Sequence, residues 1–296
     1  MLKGIARFTR LNKDIAVAVL SILVLAAWGL PAFDRPAAAL DVAMIQSTEL
    51  NRDIRAWAVL DARSKADFQK GHIPGANSFS WDDYTRTDSK GIPYQILPTR
   101  ELADALARMG ITENTPVAVY GDADKSWGGE GWACWILSWL GHKGPVRLVA
   151  GGIQAWKTHG YAISKDPWKE PSSTARYQVS LRPELDIKSS ELEQGGSGMV
   201  LIDTRSTLEW LSGHLSGAIH IPWTEFYSGK DRHALDQASL RKLLESYKVD
   251  LSKPIVYYCA GGVRSGYAWT VHSTCGLPPA RNYLAGMEQW KRRDSK

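Results

Sequence analysis

The sequence predicts an α/β fold built from two similar units, each an open parallel β-sheet flanked by helices. Three observations carry this. The chain repeats itself at a spacing of about 140 residues, short apolar runs without polar alternation recur in both halves, and stretches of helical spacing lie between them.

The repeat rests on four ordered matches. Val59-Leu60-Asp61-Ala62-Arg63 and Gly71-His72-Ile73-Pro74-Gly75-Ala76 recur as Leu201-Ile202-Asp203-Thr204-Arg205 and Gly213-His214-Leu215-Ser216-Gly217-Ala218, both at an offset of 142. Pro116-Val117-Ala118-Val119-Tyr120 recurs as Pro254-Ile255-Val256-Tyr257-Tyr258 at 138, and Ala150-Gly151-Gly152-Ile153-Gln154-Ala155-Trp156 as Leu284-Ala285-Gly286-Met287-Glu288-Gln289-Trp290 at 134. The falling offset marks short deletions of the kind loops tolerate.

The elements follow in order. Residues 59–60 are a short apolar run ending in Asp, a strand reaching a loop. Residues 102–109 have helical spacing. Val117–Tyr120 is a β-branched and aromatic run without polar alternation, as suits a strand buried on both faces of a parallel sheet. A helix over 131–140 and a last strand at 146–149 complete the unit. The second unit repeats the series at 200–202, 240–247, 255–258, 266–274 and 282–284. The units are placed at 45–164 and 181–296, with a linker at 165–180 that contains the polar, proline-bearing Asp166-Pro167-Trp168-Lys169-Glu170-Pro171.

Ahead of the units, residues 1–39 read as a signal peptide. Lys3 to Lys13 form a positive segment, residues 15–30 carry no charge, and Ala37-Ala38-Ala39 offers small residues for cleavage. The uncharged run is shorter than the roughly twenty residues of a membrane span. A cleaved signal and a periplasmic location are therefore expected, with a membrane anchor as the alternative. Residues 1–39 hold five cations and two acids, so +3 of the net +5 lies there. The remaining +2 is too weak to point to nucleic acid. Thirteen tryptophans are read as core and groove aromatics.

The chemistry is expected at Cys259. The buried strand Ile255–Tyr258 runs into Cys259-Ala260-Gly261-Gly262-Val263-Arg264-Ser265-Gly266, with a helix beginning near 265 or 266. In open parallel sheets ligands collect beyond such strand ends. Adjacent glycines permit a tight turn whose N–H groups form an anion-binding nest. Those amides, the helix N-terminus and Arg264 would favour a thiolate. Cys134, in the apolar stretch Trp132-Ala133-Cys134-Trp135, and Cys275 read as core packing. An odd count leaves at least one thiol unpaired, and no spacing resembles a zinc site.

The loop after Cys259 resembles the active-site loop of the rhodanese family. Phe68-x-x-x-His72-Ile73-Pro74-Gly75-Ala76-x-x-Phe79 resembles that family's N-terminal signature, and Tyr283-Leu284-Ala285-Gly286-Met287-Glu288-Gln289-Trp290 its C-terminal one. The likeness spans roughly 45–295. It implies a tandem rhodanese fold and a ping-pong transfer, in which Cys259 takes the outer sulfur of an anionic donor as a persulfide and a thiophile such as cyanide removes it. Cys259 is then the catalytic residue, with Ala260, Gly261, Gly262, Val263, Arg264 and Arg205 binding the donor. Thiosulfate is the expected donor and 3-mercaptopyruvate the alternative. No metal or organic cofactor is implied, and a monomer is expected because two units already form a pseudo-dimer.

The chain departs from the pattern in places. Gly121 stands opposite Cys259, and the loop Gly121-Asp122-Ala123-Asp124-Lys125-Ser126-Trp127-Gly128-Gly129 is longer by about three residues and acidic, so the first unit reads as catalytically silent. Trp210 and Ser216 replace the Phe or Tyr and the Pro of the signature. His72 and His214 read as structural, since His72 lies in the unit without a thiol. Arg205 could bind the donor or pair with a nearby acid. Two rival readings remain. A cysteine phosphatase needs Cys-x5-Arg where this loop has Cys-x4-Arg, and a non-catalytic sulfur-carrier or docking module would need no turnover.

Overall fold

The computed structural model describes residues 40–167, 175–195 and 198–293. The expected signal segment, and the linker residues 168–174, lie outside them.

The first unit runs β1 (Val42–Ile45), α1 (Ser47–Arg52), β2 (Ala58–Asp61), α2 (Lys65–Lys70), β3 (Asn77–Ser78), β4 (Thr85–Arg86), β5 (Gln95–Ile96), α3 (Thr99–Arg108), β6 (Val117–Tyr120), α4 (Ala123–Ser126), α5 (Gly129–Trp139), β7 (Val146–Val149) and α6 (Gly152–Thr158). The second runs α7 (Ser189–Gly195), β8 (Val200–Asp203), α8 (Thr207–Leu211), β9 (Ile219–His220), β10 (Tyr227–Ser228), β11 (His233–Ala234), α9 (Gln237–Ser246), β12 (Ile255–Tyr258), α10 (Val263–Thr274), β13 (Ala280–Tyr283) and α11 (Gly286–Arg293). The two main sheets are open and wholly parallel, in the orders β1-β7-β6-β2-β3 and β13-β12-β8-β9, while β4–β5 and β10–β11 are short antiparallel pairs. This is the predicted α/β architecture. β6 and β12, the runs without polar alternation, are buried at every residue.

Among the elements that differ from expectation are β1, β13 and α10. β1 pairs with β7 ahead of the start read at residue 45, and its four residues are too few to show a period. Its counterpart in the second unit is a single bridge, Asp186 to Asn282. β13 begins at Ala280, two residues before the expected 282. α10 begins at Val263 because Gly262, at φ 83°, turns the chain out of the loop at once.

The two units share one core and form one compact body over residues 40–296. α5 and α10 meet at a pair of glycines. A Cβ on Gly131 would lie 2.4 Å from Tyr267 Cα, and one on Gly266 would lie 3.1 Å from Trp132 Cα. Thr270 donates across this seam to the Gly131 carbonyl at 2.8 Å. Four tryptophans, Trp132, Trp135, Trp156 and Trp269, are wholly buried. Among the described residues no helix is long and apolar enough to cross a membrane.

Candidate active site

The loop that holds Cys259 is shaped from behind. Its Cys259 and Ala260 carbonyls accept from Met287 N (2.8 Å) and Glu288 N (3.1 Å), the first amides of α11. Gly286, at φ 61°, makes that approach possible, since a Cβ there would lie 2.2 Å from the Ala260 oxygen. A trans peptide points its N–H away from its carbonyl. With both carbonyls turned toward α11, the Ala260 and Gly261 amides face the opposite side of the loop. Among the described residues none of the amides of residues 260–265 has an acceptor. These donors and the start of the 12-residue α10 provide positive potential at a place with no side-chain cap.

Cys259 is 2 % exposed. The wholly buried Ser265 donates its hydroxyl to Cys259 Sγ at 3.4 Å, a contact absent from the sequence reading. Arg264 stands in the first turn of α10, but its charge is engaged. Nη1 and Nη2 donate to Glu209 Oε2 and Oε1 at 2.6 and 2.7 Å. Burial alone would lower the Arg264 pKa; the Glu209 bonds and the charges of Cys259 and Glu209 raise it instead. Burial alone would raise the Glu209 carboxyl, yet the bonds from Arg264 and Ser206 hold it down at about 2. Glu209 is also the third residue of a capping box on α8 with Ser206. That Ser-x-x-Glu pattern is visible in the sequence, although its link to Arg264 is not.

Cys259, Ala260, Gly261, Val263 and Arg264 line one cleft of about 630 Å³ together with Glu209 and Glu288. Gly262 supports it from the cap of α10. The opposite wall belongs to the first unit: Trp81, Pro93, Tyr94 and Trp127. Tyr94 packs so close that a Cβ on Gly261 would lie 2.2 Å from its own Cβ, which is why this glycine cannot carry a side chain.

Arg205, expected as a donor ligand, is corrected by the structure. It is 1 % exposed and donates to Asp203 (2.6 and 3.0 Å) and to the Gly213 carbonyl (2.7 Å). Arg63 repeats the arrangement in the first unit with Asp61 (2.5 and 2.9 Å) and Gly71 (2.8 Å). A motif present with and without the thiol ties strand to loop and does not reach the cleft. His72 and His214 likewise bond the carbonyls four residues back and stack on Phe68 and Trp210.

The corresponding loop of the first unit, which has no cysteine, is filled by its own side chains. The Glu130 carboxylate sits where a first-unit thiol would stand, because a Cβ on Gly121 would lie 2.2 Å from Glu130 Oε2. Ser126 donates to that oxygen at 2.7 Å and accepts from the Asp122 amide at 3.0 Å. Burial pushes the Glu130 carboxyl up to about 7. Gly128 caps α5 as Gly262 caps α10. Seven positions separate Gly121 from Gly128 and three separate Cys259 from Gly262, so the insert is four residues, the turn α4.

The model of the Rhodanese-like domain matches residues 46–159 and 188–293. The chain belongs to the rhodanese family. Among its relatives, the sulfur carrier protein TtuD of Thermus thermophilus is 28% identical over 75% of this chain and 83% of its own length. Thiosulfate sulfurtransferase of Mus musculus is 26% identical over 84% and 89%, and 3-mercaptopyruvate sulfurtransferase of Rattus norvegicus is 28% identical over 90% and 91%. In solved structures the same rhodanese fold occurs in SseA from Escherichia coli, at a TM-score of 0.72 and 19% identity, covering 83% of this chain and 98% of that one. Burial pushes the Cys134 and Cys275 thiols up, and all three cysteines are unpaired.

Proposed function

We propose that this chain is a sulfurtransferase that carries sulfane sulfur on Cys259. The observation that carries the reading is a cysteine sulfur at a strand end, bonded by Ser265 and set in a loop whose amides lack other acceptors. With thiosulfate, the thiolate attacks the outer sulfur, the S–S bond of the donor breaks, and sulfite leaves with the bonding pair. The outer sulfur of the Cys259 persulfide is then attacked by a thiophile, which returns the thiolate. Charge on the persulfide is met by preorganised amides.

Thiosulfate as donor is supported by the amide-rich loop and by Arg264. The engagement of Arg264 with Glu209 supports a second reading, in which 3-mercaptopyruvate, with a single negative charge, is the donor. Intact mass decides between them. A gain of about 32 Da with one donor, removed by cyanide and absent in Cys259→Ser, is the expected result. No gain with either donor or with a protein persulfide overturns the reading and leaves a docking module.

Export completes the proposal. It is supported by the positive, uncharged and small-residue segments within 1–39. A secreted mature form beginning near residue 40, identified by its mass, is expected.

A further inference from the structure

The four residues inserted in the loop at Gly121 are followed directly by Trp127. Trp127 is 55% exposed and lines the cleft of the other unit's cysteine. Among the described residues four other than glycine have positive φ, and two of them, Trp127 (54°) and Tyr94 (60°), face this one cleft. Such backbone is unfavourable for bulky residues and is retained where the surroundings impose it. Here the surroundings are explicit. The buried Glu130–Ser126–Asp122 chain of hydrogen bonds fixes the loop just ahead of Trp127, and Gly128 follows against Tyr267, 2.8 Å from where its Cβ would be. Trp81 lies 5.9 Å from Tyr94, centroid to centroid, with rings tilted by 58°.

The charges of this cleft complement the aromatics. Two carboxylates, Glu209 and Glu288, line it against one guanidinium, Arg264, which is bound to Glu209. Lys291 stands 3.7 Å from Glu288 on the same exposed helix turn and does not line the cleft. Aromatic faces and carboxylates both favour a cation and disfavour an anion. We propose that Trp127, Tyr94 and Trp81, with Glu288, form the acceptor subsite of Cys259, and that it selects a thiol bearing an organic cation. This rests on the sulfur-transfer reading above. In the transfer, the acceptor thiolate attacks the outer sulfur of the Cys259–S–SH persulfide. A new S–S bond forms, the enzyme's S–S bond breaks, and Cys259 leaves as the thiolate while the proton stays on the transferred sulfur. No oxidant or reductant is consumed.

The test is a single-turnover discharge. The protein is loaded with sulfur, loading is read by intact mass, and the persulfide is discharged with cysteamine, 2-mercaptoethanol or 3-mercaptopropionate at equal thiolate concentration. Discharge is expected to fall in that order, about tenfold from the cationic to the anionic thiol. Trp127→Ala is expected to remove most of this ratio and Trp127→Phe to keep it; a ratio taken within one protein cancels any general loss. Loading with equal discharge by all three thiols, or a ratio unchanged in Trp127→Ala, overturns the subsite alone. Failure to load with any donor overturns the sulfur-transfer reading and the subsite with it.

Discussion

Replacing Glu209 by Gln tests how the cleft handles anions. In the native protein both oxygens of Glu209 are bound by Arg264, at 2.6 and 2.7 Å, so an incoming anion meets a cancelled charge. Gln serves a capping box as Glu does, so α8 keeps its start while the carboxylate is lost. The guanidinium is then free to act on a docked anion. At about 5 Å and an effective dielectric of about 40, a unit charge is worth roughly 1.7 kcal/mol. That is a little more than tenfold in affinity. The KM for thiosulfate, followed by sulfite release, is expected to fall by about that factor, and the gain to shrink with added salt. Stability is expected to change by less than about 1 kcal/mol, since Glu209 is partly exposed. Because the Glu209 carboxyl is held at about 2, below its ordinary value, the pair is complete above the ordinary carboxylate range and opens only as pH falls toward 2. Acidifying the wild type to pH 5 therefore does not mimic the variant. A KM for thiosulfate unchanged in Glu209→Gln would refute the argument that this ion pair governs anion binding.

Two further predictions concern the first unit. Burial raises the Glu130 carboxyl to about 7, so the folded state holds a proton that the unfolded state releases, and stability falls as pH rises from its ordinary value to about 7. Over that interval the loss is about 3 kcal/mol, and urea unfolding of Glu130→Gln at pH 5 and pH 8 should show a slope smaller by that amount; an unchanged slope places the proton elsewhere. Gly131→Ala puts a Cβ 2.4 Å from the Tyr267 backbone, and overpacking of about 1–3 kcal/mol should exceed the helix gain of about 1 kcal/mol, lowering Tm by several degrees. A Tm equal to or above the wild type would show that the seam can open.

Much of the fold was legible because it obeys periodicity. Val117–Tyr120, Val146–Val149 and Ile255–Tyr258 stand where the apolar runs put them. β1 was not, because the partner that makes it a strand, β7, lies a hundred residues away. At the site, Cys259 and the glycines after it were legible as a local pattern. The state of the arginines was not, since charge gives no partner. Arg205 follows Asp203 by two residues and folds back on it, whereas Arg264 meets Glu209 across 55 residues of sequence. Ser265 went unseen for another reason: its role depends on α10 starting at Val263, which turns its hydroxyl onto the sulfur.

Trp81, Tyr94 and Trp127 could not be read from the motif around Cys259, because they belong to the other unit. The repeat nevertheless contained their address. Tyr94 and Arg232 are related by the same offset of 138 as β6 and β12, and both have positive φ, at 60° and 55°. Each follows a short strand of its own unit, β4 or β10, and lines the pocket at the other unit's loop, Tyr94 beside Cys259 and Arg232 beside Gly121. A duplicated fold with reciprocal seams of this kind builds two sites, each from both units. Loss of the thiol in one unit then leaves its aromatic wall still needed by the other. The loop without a cysteine at Gly121 can change length without moving Cys259, and the turn Ala123–Ser126 is such a change, followed by Trp127 in the Cys259 cleft. The first unit thus lacks the cysteine but not the wall: its side chains line one side of the cleft at Cys259.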